Sequence, residues 1–459
     1  MKDLFLAQKL KKLNQTKNAA VIQQVCSSVH PARVADALMK FSPQHAAEIL
    51  SVIEPRTRAS VFNYLVQSLQ IKMVEFLKRN TLAEMVDSMP ADRRVDFFNQ
   101  LPAEKREFLL PALAHAEREN ILNLAAYPSG TAGAVMTSDY AALLAELTVS
   151  QAIAKLRCEA PDKETIYYTY IVDAGRRLIG FVSLKDLILT NPDRCVAEIM
   201  HREVIYSKVT DDQEDAALKI QKYDLIALPV VDENNILLGI ITHDDAIDIF
   251  AQEHTEDMEK LMAIAGSHET GTYMRTTVWQ HFKNRSGWIF ILALLGLVSG
   301  YIVQSFGTLL LQIAVIASFI PMLTDTGGNT GSQSATLVVR ALAVNEITPR
   351  DIRLVLFKEG KVAILLGILL GVFSFARVAL FARNASMPVE HSLAVIGAAI
   401  ATAMGLQVIT ATLIGALLPL AAAKLKLDPA VVASPALTTI VDITGLLIFF
   451  VTIKLFLGM

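Results

Sequence analysis

A carboxylate inside an apolar run is the side chain with most chemistry to offer in this sequence. Asp442 lies within Ser434-Pro435-Ala436-Leu437-Thr438-Thr439-Ile440-Val441-Asp442-Ile443-Thr444-Gly445, and acids at membrane depth are costly and mark ion or proton paths. Helical spacing sets Pro435, Thr438, Thr439 and Asp442 on one face. The nearest base on the segment, Lys454, is more than three turns away and does not neutralise it. A second stretch, Pro321 to Gln333, interrupts another apolar run with helix breakers, hydroxyls, amides and Asp325. Polar, non-helical backbone at such depth persists only against protein or a water-filled path. The stretch is therefore expected to be a non-helical pore lining, with Asn329, Gln333, Thr438, Thr439 and the backbone of Gly327, Gly328 and Gly331 supplying the hydroxyl, amide and carbonyl groups. This lining holds neither His nor Cys, which disfavours soft metal ions.

Acids dominate a second region. Residues 211–259 carry fourteen Asp or Glu against two Lys, among them Asp211, Asp212, Glu214 and Asp215, then Asp224, then Asp244, Asp245 and Asp248, and last Glu253, Glu256, Asp257 and Glu259. Like charges three and four apart on a helix repel by a few tenths of a kcal/mol per pair, so a cation is expected to offset them. Oxygen donors alone favour a hard divalent ion, the alternative being a solvated acidic surface. Further upstream, Asp92 and Asp96 share a helix face, again as a site or as a solvated edge.

A pattern repeats without a gap between Val172-Asp173 with Leu178 to Leu187 and Val231-Asp232 with Leu237 to Ala246. Gly180 falls on Gly239, Ser183 on Thr242 and Asp186 on Asp245. Each copy reads as strand, turn, strand and a Ser/Thr-x-x-Asp helix start. The pair resembles tandem cystathionine-β-synthase (CBS) domains, a resemblance that implies adenosine-nucleotide binding with Ser183, Asp186, Thr242 and Asp245 at the ribose; a plain helix cap is the competing reading. No G-x-x-x-x-G-K-[ST] occurs, so nucleotide hydrolysis is not indicated, and no enzyme activity is expected.

These groups need elements to hold them. Charged, mixed sequence up to about residue 285 gives way to Leu, Ile, Val, Ala and Gly. Pro43 with Pro55, and Pro90 with Pro102, recur at one interval and mark helix starts in a small helical superhelix. Five apolar segments follow, at about 287–306, 308–339 with the interruption, 362–382, 392–423 and 431–453, each reaching the roughly 20 residues a bilayer requires. Arg340, Arg350, Arg353, Lys358 and Lys361, with Lys424 and Lys426, fall on one side, and Arg383 is the sole Lys or Arg of the opposite connections. The positive-inside rule then places the N-terminal half in the cytoplasm and the C-terminus outside. The N-terminus, with Lys9, Lys11 and Lys12 close behind, lacks a signal-peptide pattern. Cys26, Cys158 and Cys195 are too scattered for a disulfide framework or zinc site.

Taken together, Pro321 to Gln333, Asp428-Pro429-Ala430, Ser434-Pro435 and Thr438 to Asp442 resemble the MgtE family of magnesium channels and transporters, and the domain order matches along nearly the whole chain. The resemblance implies a helical N-domain (1–130), two α/β CBS domains (131–199 and 200–250), a connecting plug helix (251–284) and a five-helix membrane domain (285–459). It implies a homodimer in the cell (inner) membrane, with a pore lined by the second and fifth spans and Asp442 holding hydrated Mg²⁺. It further implies closure by Mg²⁺ bound among Asp92, Asp96, Asp212, Glu214, Asp224, Asp245, Asp248, Glu253, Glu256, Asp257 and Asp428, with ATP as an optional ligand of the CBS pair and no nucleic-acid partner. The alternative weighed against it is a coupled transporter or exporter of another divalent ion such as Co²⁺ or Ni²⁺.

Overall fold

The computed structural model describes residues 2–15, 18–265, 273, 276–381, 392–432 and 435–458. Two compact units divide the chain, residues 1–253 with 270–275 and residues 254–269 with 276–459.

In the first unit, short helices start where the prolines stand. Pro43–Val52 and Pro55–Asn63 carry proline in their first turn, while Pro90 and Pro102 precede Ala91–Gln100 and Ala103–Leu109. Proline's fixed φ suits that position and its missing N–H costs nothing there. Stacking of successive helices buries Leu38, Ile49, Leu50, Phe62 and Met73 in one core. Arg58, 6% exposed, donates to the Leu50 and Ile53 carbonyls at 2.9–3.2 Å, satisfying groups that a helix end leaves open.

Two sheets of identical topology follow. In each, a parallel pair is completed by an antiparallel third strand: β1 (Tyr140–Leu144), β2 (Thr165–Val172) and β3 (Leu178–Ser183), then β4 (Ser207–Lys208), β5 (Ala227–Val231) and β6 (Leu237–Thr242). Gly180 and Gly239 hold equivalent places. A Cβ on Gly180 would stand 2.8 Å from the His201 carbonyl oxygen, and one on Gly239 2.7 Å from that of Thr137. Each repeat thus needs glycine where a crossing backbone lies against its third strand.

In the second unit, five long helices run Val278–Ser305, Ile320–Ala343, Ile352–Phe381, Leu393–Lys424 and Pro435–Leu457; we call them the first to fifth spans. The first, third, fourth and fifth are long and apolar enough to cross a membrane. The fold class is therefore a helical N-domain, a tandem CBS pair and an α-helical C-terminal region.

The second span departs from expectation. Pro321 to Gln333 is not a non-helical lining: it lies inside one helix, Ile320–Ala343. Its hydroxyls turn inward along the backbone, Thr324 to the Ile320 carbonyl at 3.2 Å, Thr326 to Met322 at 2.6 Å and Thr330 to Thr326 at 2.9 Å. Such back-bonding lets Thr remain in a helix without exposing its donor. The breaks lie upstream instead, around the short helices Gly307–Gln312 and Ala314–Ala317. The third span also starts earlier than the apolar pattern implied, so Arg353, Lys358 and Lys361 stand on its first turns rather than in a loop. The helix leading out of the second sheet is His243–Leu261, and Val278–Asn284, expected as connecting helix, already belong to the first span. Arg383 and Ser434 lie outside the described residues.

Candidate functional site: an ion path and its acidic clusters

Glycines of the second span set its distance from the fourth and fifth. A Cβ on Gly328 would be 3.0 Å from Thr438 Cγ2, and one on Gly331 would be 3.2 Å from the Ala411 carbonyl oxygen. This is the small-residue contact by which membrane helices approach closely. Thr439 donates to the Pro435 carbonyl at 3.0 Å and Thr444 to that of Ile440 at 2.8 Å. These back-bonds use the hydroxyl hydrogens and leave oxygen lone pairs free to accept from water. Asp442 Oδ1 is buried with no hydrogen-bond partner in the structure.

The residues expected to line a pore separate into two sets. Gly328 packs on Thr438. Asn329 and Gln333 instead lie with Asp325 on the exposed side of the second span, one turn apart from each other. Three polar residues of this bundle were not singled out in the sequence. Ser334 donates to Glu359 of the third span at 2.8 Å. Gln407 of the fourth span is 1% exposed; its only signal in the sequence is that it is an amide within an apolar run.

In the first unit, Asp92, Asp245 and Asp248 gather around a cation supplied by the protein. Arg93 Nη2 stands 2.6 Å from Asp248 and 3.6 Å from Asp245, and its Nε 3.5 Å from Asp92. They border a cavity of about 410 Å³ that His30, Glu164 and Asp244 also line. Burial pushes the Asp92 carboxyl up to about 7, and the Asp245 charge adds to this against the pull of Arg93. Asp245 is raised too, by burial first, although Thr242 and Arg93 oppose the rise. Burial alone would lower Arg93, but the hydrogen bond to Asp248 and the surrounding carboxylates outweigh it and raise it. Asp96, one turn beyond Asp92, is exposed.

A similar arrangement occurs in the second unit. Lys260 pairs with Glu256 and reaches Asp428 at 2.7 Å. Asp257 is raised by burial and then by the Asp428 charge. Lys260 is raised because its bonds to Asp428 and Glu256 outweigh its burial. Among the described residues, no three His, Cys, Asp or Glu side chains stand arranged to hold a metal ion directly. Carboxylates so placed still suit Mg²⁺, which keeps much of its water and takes one or two carboxylates.

The remaining acids serve local structure. Asp212 caps its helix, accepting from Glu214 N at 2.8 Å; Glu253 accepts from Gln213; and Asp224 occupies a left-handed turn, φ 52°. Ser183 and Asp186 form a reciprocal capping box, and the Thr242 hydroxyl donates to Asp245. The reciprocal cap is thus present in the first repeat, while in the second Asp245 also accepts from the Thr242 backbone N–H at 3.4 Å. Asp186 also lies 3.4 Å from His201, whose ring stacks on Phe181.

Three family descriptions match in chain order: the MgtE intracellular N domain over 29–130, CBS domains over 132–190 and 196–252, and the MgtE divalent cation transporter over 320–452. The magnesium transporter MgtE of Thermus thermophilus is 40% identical over 73% of this chain and 72% of its own. That of Bacillus subtilis is 36% identical over 71% and 70%. A crystal structure of the soluble part of a magnesium transporter matches at TM-score 0.52 and 30% identity, over 55% of this chain and 99% of that one. The cytosolic domain of the Mg²⁺ channel MgtE in complex with ATP matches at TM-score 0.51 and 32% identity, over 53% and 99%. With 40% identity across more than two thirds of a curated relative, the chain belongs to the MgtE family of magnesium transporters.

Proposed function

We propose that this protein is a Mg²⁺-selective channel of the cell membrane that lets Mg²⁺ into the cytoplasm and closes when Mg²⁺ binds its cytosolic acidic clusters. The observation that carries the reading is Asp442: a carboxylate in an apolar helix, with a buried oxygen that has no hydrogen-bond partner among the described residues. Mg²⁺ surrenders its water reluctantly, so the path selects it by accepting hydrogen bonds from its hydration shell. Asp442 supplies the charge, and the Thr438 and Thr439 side chains and the glycine-rich face of the second span supply neutral contacts. A divalent ion moving inward gains roughly 4.6 kcal/mol per 100 mV of membrane potential, so no fuel is required.

The path lies between two copies of the chain. Asp325, Asn329 and Gln333 form an exposed polar edge on the second span, which lipid would not tolerate and a partner's matching edge would cover. On the cytosolic side, Asp92, Asp96, Asp245 and Asp248 form one Mg²⁺ sensor region, and Glu256, Asp257 and Asp428 form another. Asp212, Glu214, Asp224 and Glu253 contribute once the domains close. In the CBS pair, Ser183 with Asp186, and Thr242 with Asp245, present oxygens for the ribose of ATP, which is bound by the related cytosolic domain. The N-terminal half faces the cytoplasm, and the C-terminus lies outside. Uptake of Mg²⁺ into liposomes at imposed inside-negative potential tests the proposal. Parent protein carries Mg²⁺ and Asp442→Asn of equal thermal stability does not; absence of flux from the parent refutes it.

A further inference from the structure

Gln407 is a buried amide whose nitrogen and oxygen both lack a hydrogen-bond partner among the described residues. It sits in the fourth span, between glycines of the two spans assigned to the path. A Cβ on Gly327 would overlap Gln407 Nε2, and one on Gly445 would stand 3.0 Å from its Cγ and 3.1 Å from its Nε2. The chain thus leaves out two side chains to make room for this one. Buried amides are costly when unpaired and rarely left so; an apolar residue of the same size would fill the space without that cost. Gly445 lies one turn beyond Asp442 on the fifth span, and Asp442 Oδ1 is itself buried without a partner among the described residues.

We propose that Gln407 is a specificity-determining residue of the path: its amide, with the Asp442 carboxylate, contacts the water shell of the passing divalent cation. One ligand chemistry suits both groups. Water held by a cation donates to the carboxylate and to the amide oxygen, and other water accepts from the amide N–H₂. The fourth span thereby adds a neutral contact to those of the second and fifth. This inference rests on the transport reading above.

Full-length protein in liposomes at fixed inside-negative potential tests it, with Mg²⁺ and Ca²⁺ uptake and thermal stability in detergent measured for parent, Gln407→Met, Gln407→Leu and Gln407→Asn. Met and Leu keep most of the volume and remove the amide. They are expected to melt no lower than the parent while Mg²⁺ uptake falls at least tenfold and the Mg²⁺ to Ca²⁺ ratio drops; Asn restores part of both. Parental rate and ratio in Met or Leu overturn the inference alone, because the amide is then only filler. Failure of both apolar variants to fold also overturns it, since the amide would be holding the bundle together. A parent that carries no Mg²⁺ overturns the transport reading and this inference with it.

Discussion

Replacing Arg93 by Gln should make the proposed sensor bind Mg²⁺ more tightly. Arg93 contacts three carboxylates that the proposed sensor would offer an ion, at 2.6 Å from Asp248, 3.6 Å from Asp245 and 3.5 Å from Asp92. An incoming ion must displace the guanidinium or bind beside it. A unit and a double charge about 5 Å apart repel by roughly 1.7 kcal/mol at the dielectric of water and about four times that at an effective constant of 20. Arg93 is 37% exposed and Asp248 62%, so the value near the water limit applies, and salt weakens it further. A figure of about 1.4 kcal/mol corresponds to a tenfold change in affinity.

The assay is limited proteolysis of the full-length protein across a Mg²⁺ series. Arg93→Gln is expected to reach half-protection at about one tenth of the parental Mg²⁺, yet to be cleaved faster than the parent when Mg²⁺ is chelated, because its carboxylates then repel without a counter-charge. Arg93→Lys keeps the charge and should stay within about threefold of the parent. An unchanged or higher midpoint in Arg93→Gln would show that the guanidinium and Mg²⁺ do not compete, and the reasoning fails.

Other outcomes follow from the same structure. Asp92 has a carboxyl raised to about 7 in the fold, against about 3.9 unfolded. The folded form then binds the proton more tightly, so Mg²⁺-free stability of the N-terminal unit should fall as pH rises from about 4 to 7 and level off above. Asp92→Asn flattens that slope in thermal melts. Protons and Mg²⁺ also compete there, so the parental protection midpoint should move to higher Mg²⁺ as pH drops below about 7. Gly327→Ala forces a methyl into Gln407 and should cost about 1–3 kcal/mol; Gln407→Ala in the same chain should return most of the melting temperature. Arg58→Ala strands the Leu50 and Ile53 carbonyls and should cost about 2–4 kcal/mol in urea unfolding. Lys260→Met removes the cation between Glu256 and Asp428 and should lower the Mg²⁺ required to inhibit uptake.

Prolines, the gapless repeat and the long apolar runs made the order of domains readable, because each is a local signal: a fixed φ, a period of two, a length. The equivalence of Gly180 and Gly239 survives in three dimensions for the same reason, each glycine admitting one crossing backbone. Non-local facts stayed hidden. The excess of acid over 211–259 called for a cation, but in the first unit Arg93 supplies it from far upstream, where no pattern links it to Asp245. Gln407 was silent because its meaning lies in two glycines on other helices.

The second span shows where a sound principle was pushed too far. Lipid forbids unsatisfied backbone, and a run of Gly, Thr and Asn was therefore read as broken backbone that needed water. In the fold, that backbone is satisfied by its own helix, and the Thr hydroxyls bond the preceding turns. Polarity in a membrane segment thus does not by itself make a path. What matters is the polar groups left over once helix bonding is complete; among the described residues these include Asp442 Oδ1 and the Gln407 amide, with Ser374 Oγ on the third span, beside the exposed edge of Asp325, Asn329 and Gln333. Asp442 and Gln407 need a ligand and the exposed edge needs a partner. The proposed path, with Mg²⁺ and its water moving between two copies of the chain, would answer both requirements at once.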